Sequence, residues 1–181
     1  MIPFYKHNLK KNKNYLKDTI ASPYLTSGPV CEKTENLLKI RFKKKFAIMS
    51  NSWTNALISI LLSLKLKPKD EVMIPACTFV ACANVIEMVG AKVVFVDIDP
   101  NTKLMDLKDC FNKISKNTRV IMPVHLYGNL FNTFELKKKI PKNIFIIEDS
   151  AHAFCGEYNN NILGKYSDFA VFSFYATKSI T

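Results

Sequence analysis

The sequence lacks any apolar run long enough to span a membrane, and its first residues, 1–6, lack the apolar core of a secretion signal. It also lacks internal repeats and low-complexity tracts. Of its 181 residues 48% are apolar, so we expect one globular domain with a sizeable core rather than a disordered chain. Together these absences predict a cytoplasmic protein with no membrane-bound part.

Arginine is scarce, and this affects how the formal net charge of +11 is interpreted. Such a charge is compatible with nucleic-acid binding. However, only Arg41 and Arg119 are arginines, and the lysines are scattered along the chain. Their two small clusters, at 43–45 and 137–139, lie near predicted helix C-termini, where positive charge is favourable. We therefore favour a solvated surface over a nucleic-acid patch.

The cysteines do not follow a zinc-binding spacing, and their number is odd. Several of them fall inside apolar segments, which is typical of reduced, buried thiols in a cytosolic protein. The sequence therefore predicts neither a metal centre nor a disulfide framework. The positions are Cys31, Cys77, Cys82, Cys110 and Cys155.

Two short apolar runs, at 144–147 and 169–172, are typical of strands buried on both faces of a sheet. Polar residues follow each run: Asp149 after the first, and Ser173 and Lys178 after the second. Ligands of open α/β sheets bind beyond the carboxyl ends of the strands, so these side chains should meet at one edge. A site for pyridoxal phosphate requires a lysine, a carboxylate and hydrogen-bond donors to the phosphate group.

Helical and strand patterns alternate along the rest of the chain, which favours parallel pairing in an α/β fold. Residues 8–21 are predicted to form a surface helix or arm. A turn with a strand is predicted at 69–75, and strands at 46–49, 92–96 and 118–122. Helices are predicted at 31–44, from the turn at 50–54 to about 65, from the opening segment 76–81 to about 89, and near 105–114 and 131–140.

Several segments resemble the DegT/DnrJ/EryC1/StrS family of sugar-nucleotide aminotransferases. The segments E-D-S-A-H-A, at 148–153, and F-S-F-Y-A-T-K-S-I-T, at 172–181, are similar to two family motifs in both order and separation. So are Y-L-T-S-G-P, at 24–29, and P-V-H-L-Y-G, at 123–128. The resemblance implies an incomplete large domain of the aspartate-aminotransferase-like type (fold type I), a three-layer α/β sandwich with a mostly parallel sheet. It also implies pyridoxal phosphate as the cofactor.

The resemblance implies a role for each candidate residue around the cofactor ring. Lys178 would attach the cofactor as a Schiff base and later move a proton, although a surface lysine is the alternative. Asp149 would keep the ring nitrogen protonated, with a helix-capping aspartate as the alternative. Phe79 would stack on the ring and His152 would contact the ring or its hydroxyl, yet both could be ordinary core residues. His125 is interpreted as a structural histidine near the site.

The phosphate group would bind at two places. Ser52, Trp53 and Thr54 stand where the family has a Ser-(Gly/Ala)-Thr motif at a strand-to-helix turn, whose free N–H groups suit an anion. Trp53 replaces the small middle residue, which keeps the backbone N–H but takes up space. Ser52 could instead only cap the helix. Ser173 resembles the family's phosphate-binding serine.

The resemblance also implies a domain organisation. Residues 1–30 would form an N-terminal arm and helix, and residues 31–181 the cofactor-binding large domain. The sequence ends three residues after Lys178. Relatives continue with a Gly-Glu-Gly-Gly-like segment, further sheet and a small C-terminal domain, so we expect a truncated large domain, inactive by itself.

The resulting prediction is an aminotransferase that acts on a nucleotide-linked keto sugar, with glutamate as amino donor, in surface polysaccharide or amino-sugar synthesis. A homodimer without a metal is implied for the complete enzyme. A dehydratase of the same family is an alternative, but that branch has histidine in place of the lysine, and Lys178 argues against it. Two hypotheses from different classes are a non-catalytic remnant and a basic nucleic-acid-binding module.

Overall fold

The computed structural model describes residues 13–179, so the part of the predicted arm before Lys13 lies outside the described residues. The chain divides into two compact units, with the boundary between Met49 and Ser50. Among the described residues, no helix is both long and apolar enough to cross a membrane.

The first unit contains α1 (Lys13–Ala21) and α2 (Pro29–Phe42). Helix α2 begins with a proline, whose missing N–H would have no intrahelical partner at that position. It ends at Lys43, which has left-handed backbone angles and whose N–H bonds back to the last turn. The prediction of a strand at 46–49 is wrong, since this segment has no regular secondary structure and the side chains of Phe46 and Ile48 are exposed. A strand forms only against a partner, and no described strand pairs with it.

The second unit is built on a five-stranded sheet in which all neighbouring strands are parallel. The predicted strands at 69–75, 92–96, 118–122, 144–147 and 169–172 are confirmed with small shifts of their ends. The sheet strands are β1 (Glu71–Pro75), β2 (Lys92–Val96), β3 (Thr118–Ile121), β4 (Phe145–Asp149) and β7 (Phe169–Val171). Their spatial order is β2-β1-β3-β4-β7.

A small antiparallel hairpin lies between β4 and β7 in the chain, formed by β5 (Glu157–Tyr158) and β6 (Asn161–Ile162). The sequence pattern predicts only a polar break in this segment. Its two turn residues, Asn159 and Asn160, have φ values of 49° and 61°. Two consecutive left-handed residues make the hairpin turn whose twist matches the strands, and asparagine tolerates that conformation well.

Helices cover both faces of the sheet, which confirms the three-layer α/β fold. On one face, α3 (Trp53–Ser63) and α4 (Ala81–Met88) pack against Val72, Val120 and Ile147. On the other face, α5 (Leu107–Lys113) and α6 (Thr133–Lys139) pack against Met73, Ile121 and Ile146. The side chains of each strand alternate between the two layers because successive residues of a strand point to opposite faces.

Candidate active site

The carboxyl ends of the five parallel strands meet at one edge of the sheet, here called the carboxyl edge. The chain passes from β1 to β2 on one side of β1, whereas β3 lies on its other side. Strand order therefore reverses next to β1, and such a reversal opens a crevice in which ligands of α/β sheets bind. Asp149 ends β4, and His125 and Ser173 follow β3 and β7 at this edge. The loop at 76–80 follows β1 at the same edge.

Asp149 is the buried acid of the carboxyl edge, with 4% of its surface exposed. Its Oδ1 accepts a hydrogen bond from the backbone N–H of Ala151 at 3.0 Å, and its Oδ2 accepts one from the Cys82 thiol at 3.5 Å. Burial raises the pKa of Asp149, against the opposing effects of these two donors, His125 and Lys178. A carboxylate whose charge is this poorly compensated favours a cationic or N–H group beside it.

Lys178 lies in a turn beyond β7, and its backbone N–H donates to the Tyr175 carbonyl at 2.8 Å. The N–H of Tyr175 in turn donates to the hydroxyl of Ser173 at 3.3 Å. The positive charge of Lys178 lowers the pKa values of both Asp149 and His152, so the ammonium lies within electrostatic range of both. The predicted lysine, acid and histidine thus all lie at or after strand ends at the carboxyl edge.

His152 is held against Tyr127. The backbone N–H of Tyr127 donates to Nδ1 of His152 at 3.3 Å, and the two rings stack with centroids 5.4 Å apart and an interplanar angle of 11°. Burial, and then the charge of Lys178, lowers the pKa of His152. The imidazole is therefore neutral at neutral pH, with Nδ1 as an acceptor and its proton on Nε2.

The N-terminus of α3 also lies at the carboxyl edge, because the far end of this helix leads into the start of β1. Ser52 caps the helix: its hydroxyl accepts from the N–H of Asn55 at 3.1 Å. Ser52 therefore does cap the helix, which was the alternative interpretation. The N–H groups of Trp53 and Thr54, in the first turn, have no intrahelical acceptor and are available to an anion.

The side chain of Trp53 packs against the buried cluster that α3 and α4 form on the sheet. Its indole N–H is buried and has no hydrogen-bond acceptor within residues 13–179. The ring of Trp53 thus takes part in the packing of this helix layer, and the backbone N–H of Trp53 remains a donor of the turn.

Phe79 lies just before α4, and 69% of its surface is exposed. It is therefore not an ordinary core residue, which was the alternative interpretation. Its carbonyl accepts from the N–H of Cys82 at 3.0 Å, which fixes the backbone at the helix start. An exposed aromatic ring at the carboxyl edge is free to stack on a planar ligand.

His125 has the structural role expected from the sequence. It is fully buried, its Nδ1 accepts from the N–H of Phe131 at 3.0 Å, and its own N–H donates to the carbonyl of Asp149 at 3.0 Å. Its Nε2 lies 3.8 Å from Oε2 of Glu148. These contacts hold the end of β4 against the segment after β3.

Sequence reasoning missed Thr78 and Cys82, which contact each other at 3.3 Å between Oγ1 and Sγ, next to Asp149. The cysteine pattern predicts Cys82 only as a buried thiol. One sequence feature could have identified Cys82 as a site residue: it lies one helical turn after Phe79, in a segment expected at the carboxyl edge. Proximity to Asp149, 67 positions later in the chain, is a tertiary contact that no local pattern contains.

Comparison with known proteins finds similar chains and a matching family. The family model of the DegT/DnrJ/EryC1/StrS aminotransferase family matches residues 7–181. An uncharacterized protein of Methanocaldococcus jannaschii, MJ1066, is 41% identical over 93% of this chain and 44% of its own length. The GDP-perosamine synthase of Escherichia coli O157:H7 is 36% identical over 99% of this chain and 50% of its own length.

Among solved structures, the chain is similar to a proposed sugar aminotransferase, Spr1654 of Streptococcus pneumoniae. Its PMP form matches with a TM-score of 0.93 and 33% identity, over 100% of this chain and 50% of that one. Its PLP form matches with a TM-score of 0.92 and 34% identity, over 99% and 50%. The chain spans about half the length of the curated relatives it matches.

Proposed function

The chain belongs to the DegT/DnrJ/EryC1/StrS aminotransferase family, and we propose that it carries the cofactor-binding part of a pyridoxal-phosphate-dependent aminotransferase for a nucleotide-linked keto sugar. The observation that supports this most is the buried Asp149 with Lys178 in electrostatic range, at the carboxyl edge of a parallel sheet. Within this proposal, residues 1–30 form the arm and helix, and residues 31–181 the cofactor-binding domain.

The residues present fit the ring of the cofactor. The pKa of Asp149 is raised by burial, so a protonated ring nitrogen beside it would supply the cationic donor that this carboxylate lacks. Phe79 offers an exposed ring for stacking on the pyridine. His152 is neutral and has a proton on Nε2, so it can donate to a ring hydroxyl or pack against the ring.

The phosphate of the cofactor would bind between two elements of this edge. The first-turn N–H groups of α3, at Trp53 and Thr54, provide backbone donors at the positive end of a helix dipole, with Ser52 before them. Ser173 follows β7, which packs in the same buried cluster as α3. The hydroxyls of Ser52 and Ser173 now accept from backbone N–H groups, so their own hydrogens remain available to donate.

Pyridoxal phosphate, when bound, supplies an electron sink for a carbanion next to the reacting nitrogen. Lys178 would provide the amine that holds the cofactor, and its neutral Nζ would carry a proton between two carbon atoms. Asp149 would keep the ring nitrogen protonated, which makes the ring more electron-withdrawing.

The substrate is proposed from the relatives, since three of them are named GDP-perosamine synthases. We propose a nucleotide-linked keto sugar as acceptor and an amino acid, glutamate, as donor. The product would be an amino sugar for surface polysaccharide, and the complete enzyme would be a homodimer. The dehydratase alternative is less well supported because Lys178 occupies the position at which that branch has histidine.

Covalent labelling tests the proposal. The protein is incubated with pyridoxal phosphate, reduced with borohydride to trap the lysine–aldehyde bond, and mapped by peptide mass spectrometry. We expect the label on Lys178, its loss in Lys178→Arg, and no loss in the control Lys165→Arg, since Lys165 follows the hairpin β5–β6 and not β7. Equal labelling of several other lysines would overturn the proposal.

Turnover separates an enzyme from a non-catalytic remnant. The protein is assayed with glutamate and a keto-sugar nucleotide. Amino transfer that depends on Lys178 supports the enzyme. Specific labelling of Lys178 without amino transfer would instead support a remnant that keeps only cofactor binding.

A further inference from the structure

We propose that Cys82 is a positioning residue for Asp149: its thiol donates a hydrogen bond to Oδ2, and Thr78 orients that thiol. This inference rests on the proposed function, because it assigns to Cys82 control over the acid that would face the cofactor ring. It concerns a contact between the start of α4 and the end of β4, formed by residues that lie 67 positions apart in the chain.

The geometry around Oδ2 leaves Cys82 as its hydrogen-bonding partner among the described residues. The Sγ–Oδ2 distance is 3.5 Å, which is within the range for a sulfur donor, and Cys82 is fully buried. The other oxygen, Oδ1, is taken by the N–H of Ala151 at 3.0 Å. The two donors approach different oxygens, so together they fix the plane of the carboxylate as well as its position.

The thiol is suited to this role because it stays protonated. Burial, and then the charge of Asp149, raises the pKa of Cys82 to about 12. A thiol with that pKa keeps its hydrogen at neutral pH, so it donates rather than competes as a second anion. The hydroxyl of Thr78, 3.3 Å from Sγ, can donate to the sulfur and so leave the S–H free for Asp149.

Other groups also act on Asp149, and they limit what Cys82 alone controls. His125, after β3, and Lys178, beyond β7, both lower the pKa of Asp149. These two groups act through space, whereas Cys82 and Ala151 act through hydrogen bonds. Removal of the thiol should therefore shift the titration of Asp149 without abolishing the preference of the site for a cation.

The test follows the carboxyl of Asp149 in the cofactor-free protein. Aspartate labelled with ¹³C at the side-chain carboxyl is titrated by NMR, and the Asp149 signal is identified by its absence in Asp149→Asn. Cys82→Ala should raise the pKa of Asp149 by about 0.4–1.1 units, since a net hydrogen bond contributes about 0.5–1.5 kcal/mol and one unit corresponds to about 1.4 kcal/mol. Cys82→Ser should reverse that rise, because the hydroxyl is again a donor.

Cys110 provides a matched control. It is also a fully buried cysteine in a helix, and burial also raises its pKa to about 12, but it belongs to the helix layer on the other face of the sheet. Cys110→Ala should weaken packing to a similar degree and leave the Asp149 titration unchanged. If Cys82→Ala does not fold, Cys82→Val gives the same test, since it fills the space without a donor.

The outcomes separate this inference from the proposed function. An unchanged Asp149 titration in Cys82→Ala or Cys82→Val, or an equal shift in Cys110→Ala, would overturn the role of Cys82 whatever the cofactor does. A shift specific to Cys82, in a protein that does not attach pyridoxal phosphate at Lys178, would leave the hydrogen bond in place and overturn the proposed function instead. In the loaded protein, the pH at which the visible absorption changes should differ between Cys82→Ala and Cys82→Ser.

Discussion

Glu148 and Asp149 are consecutive residues of β4, both almost fully buried, and their side chains lie in opposite helix layers with oppositely shifted pKa values. Burial raises the pKa of Glu148, but the nearby His125 and the N–H of Gly164 outweigh it and hold the pKa below its ordinary value. Burial raises the pKa of Asp149, and its neighbours do not outweigh it. The negative charge of Glu148 is therefore stabilised by protein groups, as in a structural anion. The charge of Asp149 is not stabilised enough to offset its burial, as in a group that binds a ligand.

Neutralising these two carboxylates should change stability in opposite directions. Because the folded-state pKa of Glu148 is lowered, its contribution to stability is present above its ordinary value of 4.5 and is lost as the pH falls through the folded-state value. Glu148→Gln should thus lower the free energy of unfolding at pH 7 by about 1.5–3 kcal/mol, the range for hydrogen bonds to charged groups. Urea unfolding measures this, and the difference should shrink at acid pH.

For Asp149 the sign is reversed. Its raised folded-state pKa gives a contribution to stability that is complete below its ordinary value of 3.8 and is lost as the pH rises through the folded-state value. Asp149→Asn should therefore leave the cofactor-free protein as stable at pH 7 as before, or more stable. A loss of stability as large as that of Glu148→Gln would contradict this interpretation of the site.

Asp149→Asn should have its main effect on catalysis. Asparagine cannot keep the ring nitrogen protonated, so turnover should fall by at least about 10²-fold, the usual loss for a charge-stabilising partner at a reacting centre. Cofactor binding should suffer less, because stacking and phosphate contacts remain. Steady-state kinetics and cofactor titration measure the two effects, and near-wild-type turnover would show that Asp149 is not the nitrogen partner.

His152 should be neutral at pH 7, with its proton on Nε2. Burial lowers its pKa from 6.5, Lys178 lowers it further, and the N–H of Tyr127 requires an unprotonated Nδ1. Imidazole ¹⁵N NMR of the cofactor-free protein should show this tautomer and a titration below pH 6.5. In Lys178→Gln the pKa should rise, because a positive charge has been removed. A pKa that stays the same in that variant would place the lysine outside the range of His152.

Phe79→Ala should weaken cofactor binding with little change in stability. The side chain is 69% exposed, so its truncation removes little buried surface. An aromatic pair contributes about 0.5–1.5 kcal/mol beyond burial, which corresponds to roughly 2- to 12-fold in the dissociation constant. Phe95→Ala, at a 52% exposed position on β2, is the matched control and should bind the cofactor normally. Equal weakening in the two variants would argue against stacking.

Much of the fold could be predicted from the sequence, because local patterns determined it. Val72, Met73 and Ile74 are all buried, and such continuous apolar strands occur where both faces of a parallel sheet are covered. Lys92–Val96 forms a strand with the predicted bounds. The segment at 46–49 shows the limit of this reasoning: Phe46 and Ile48 have strand propensity, but pairing depends on a neighbour that no local pattern supplies.

The sequence by itself determined which residue types stand at the ends of strands, and hence that Asp149, Ser173 and Lys178 are candidates for one site. Only the tertiary structure decided which hydrogen-bond donors and charges lie next to each of these groups. Asp149 meets the thiol of Cys82 across the boundary between a strand and a helix, while its neighbour Glu148 points into the other helix layer. The pKa of a carboxyl depends on burial and on donors within a few ångströms, and these come from segments distant in the chain.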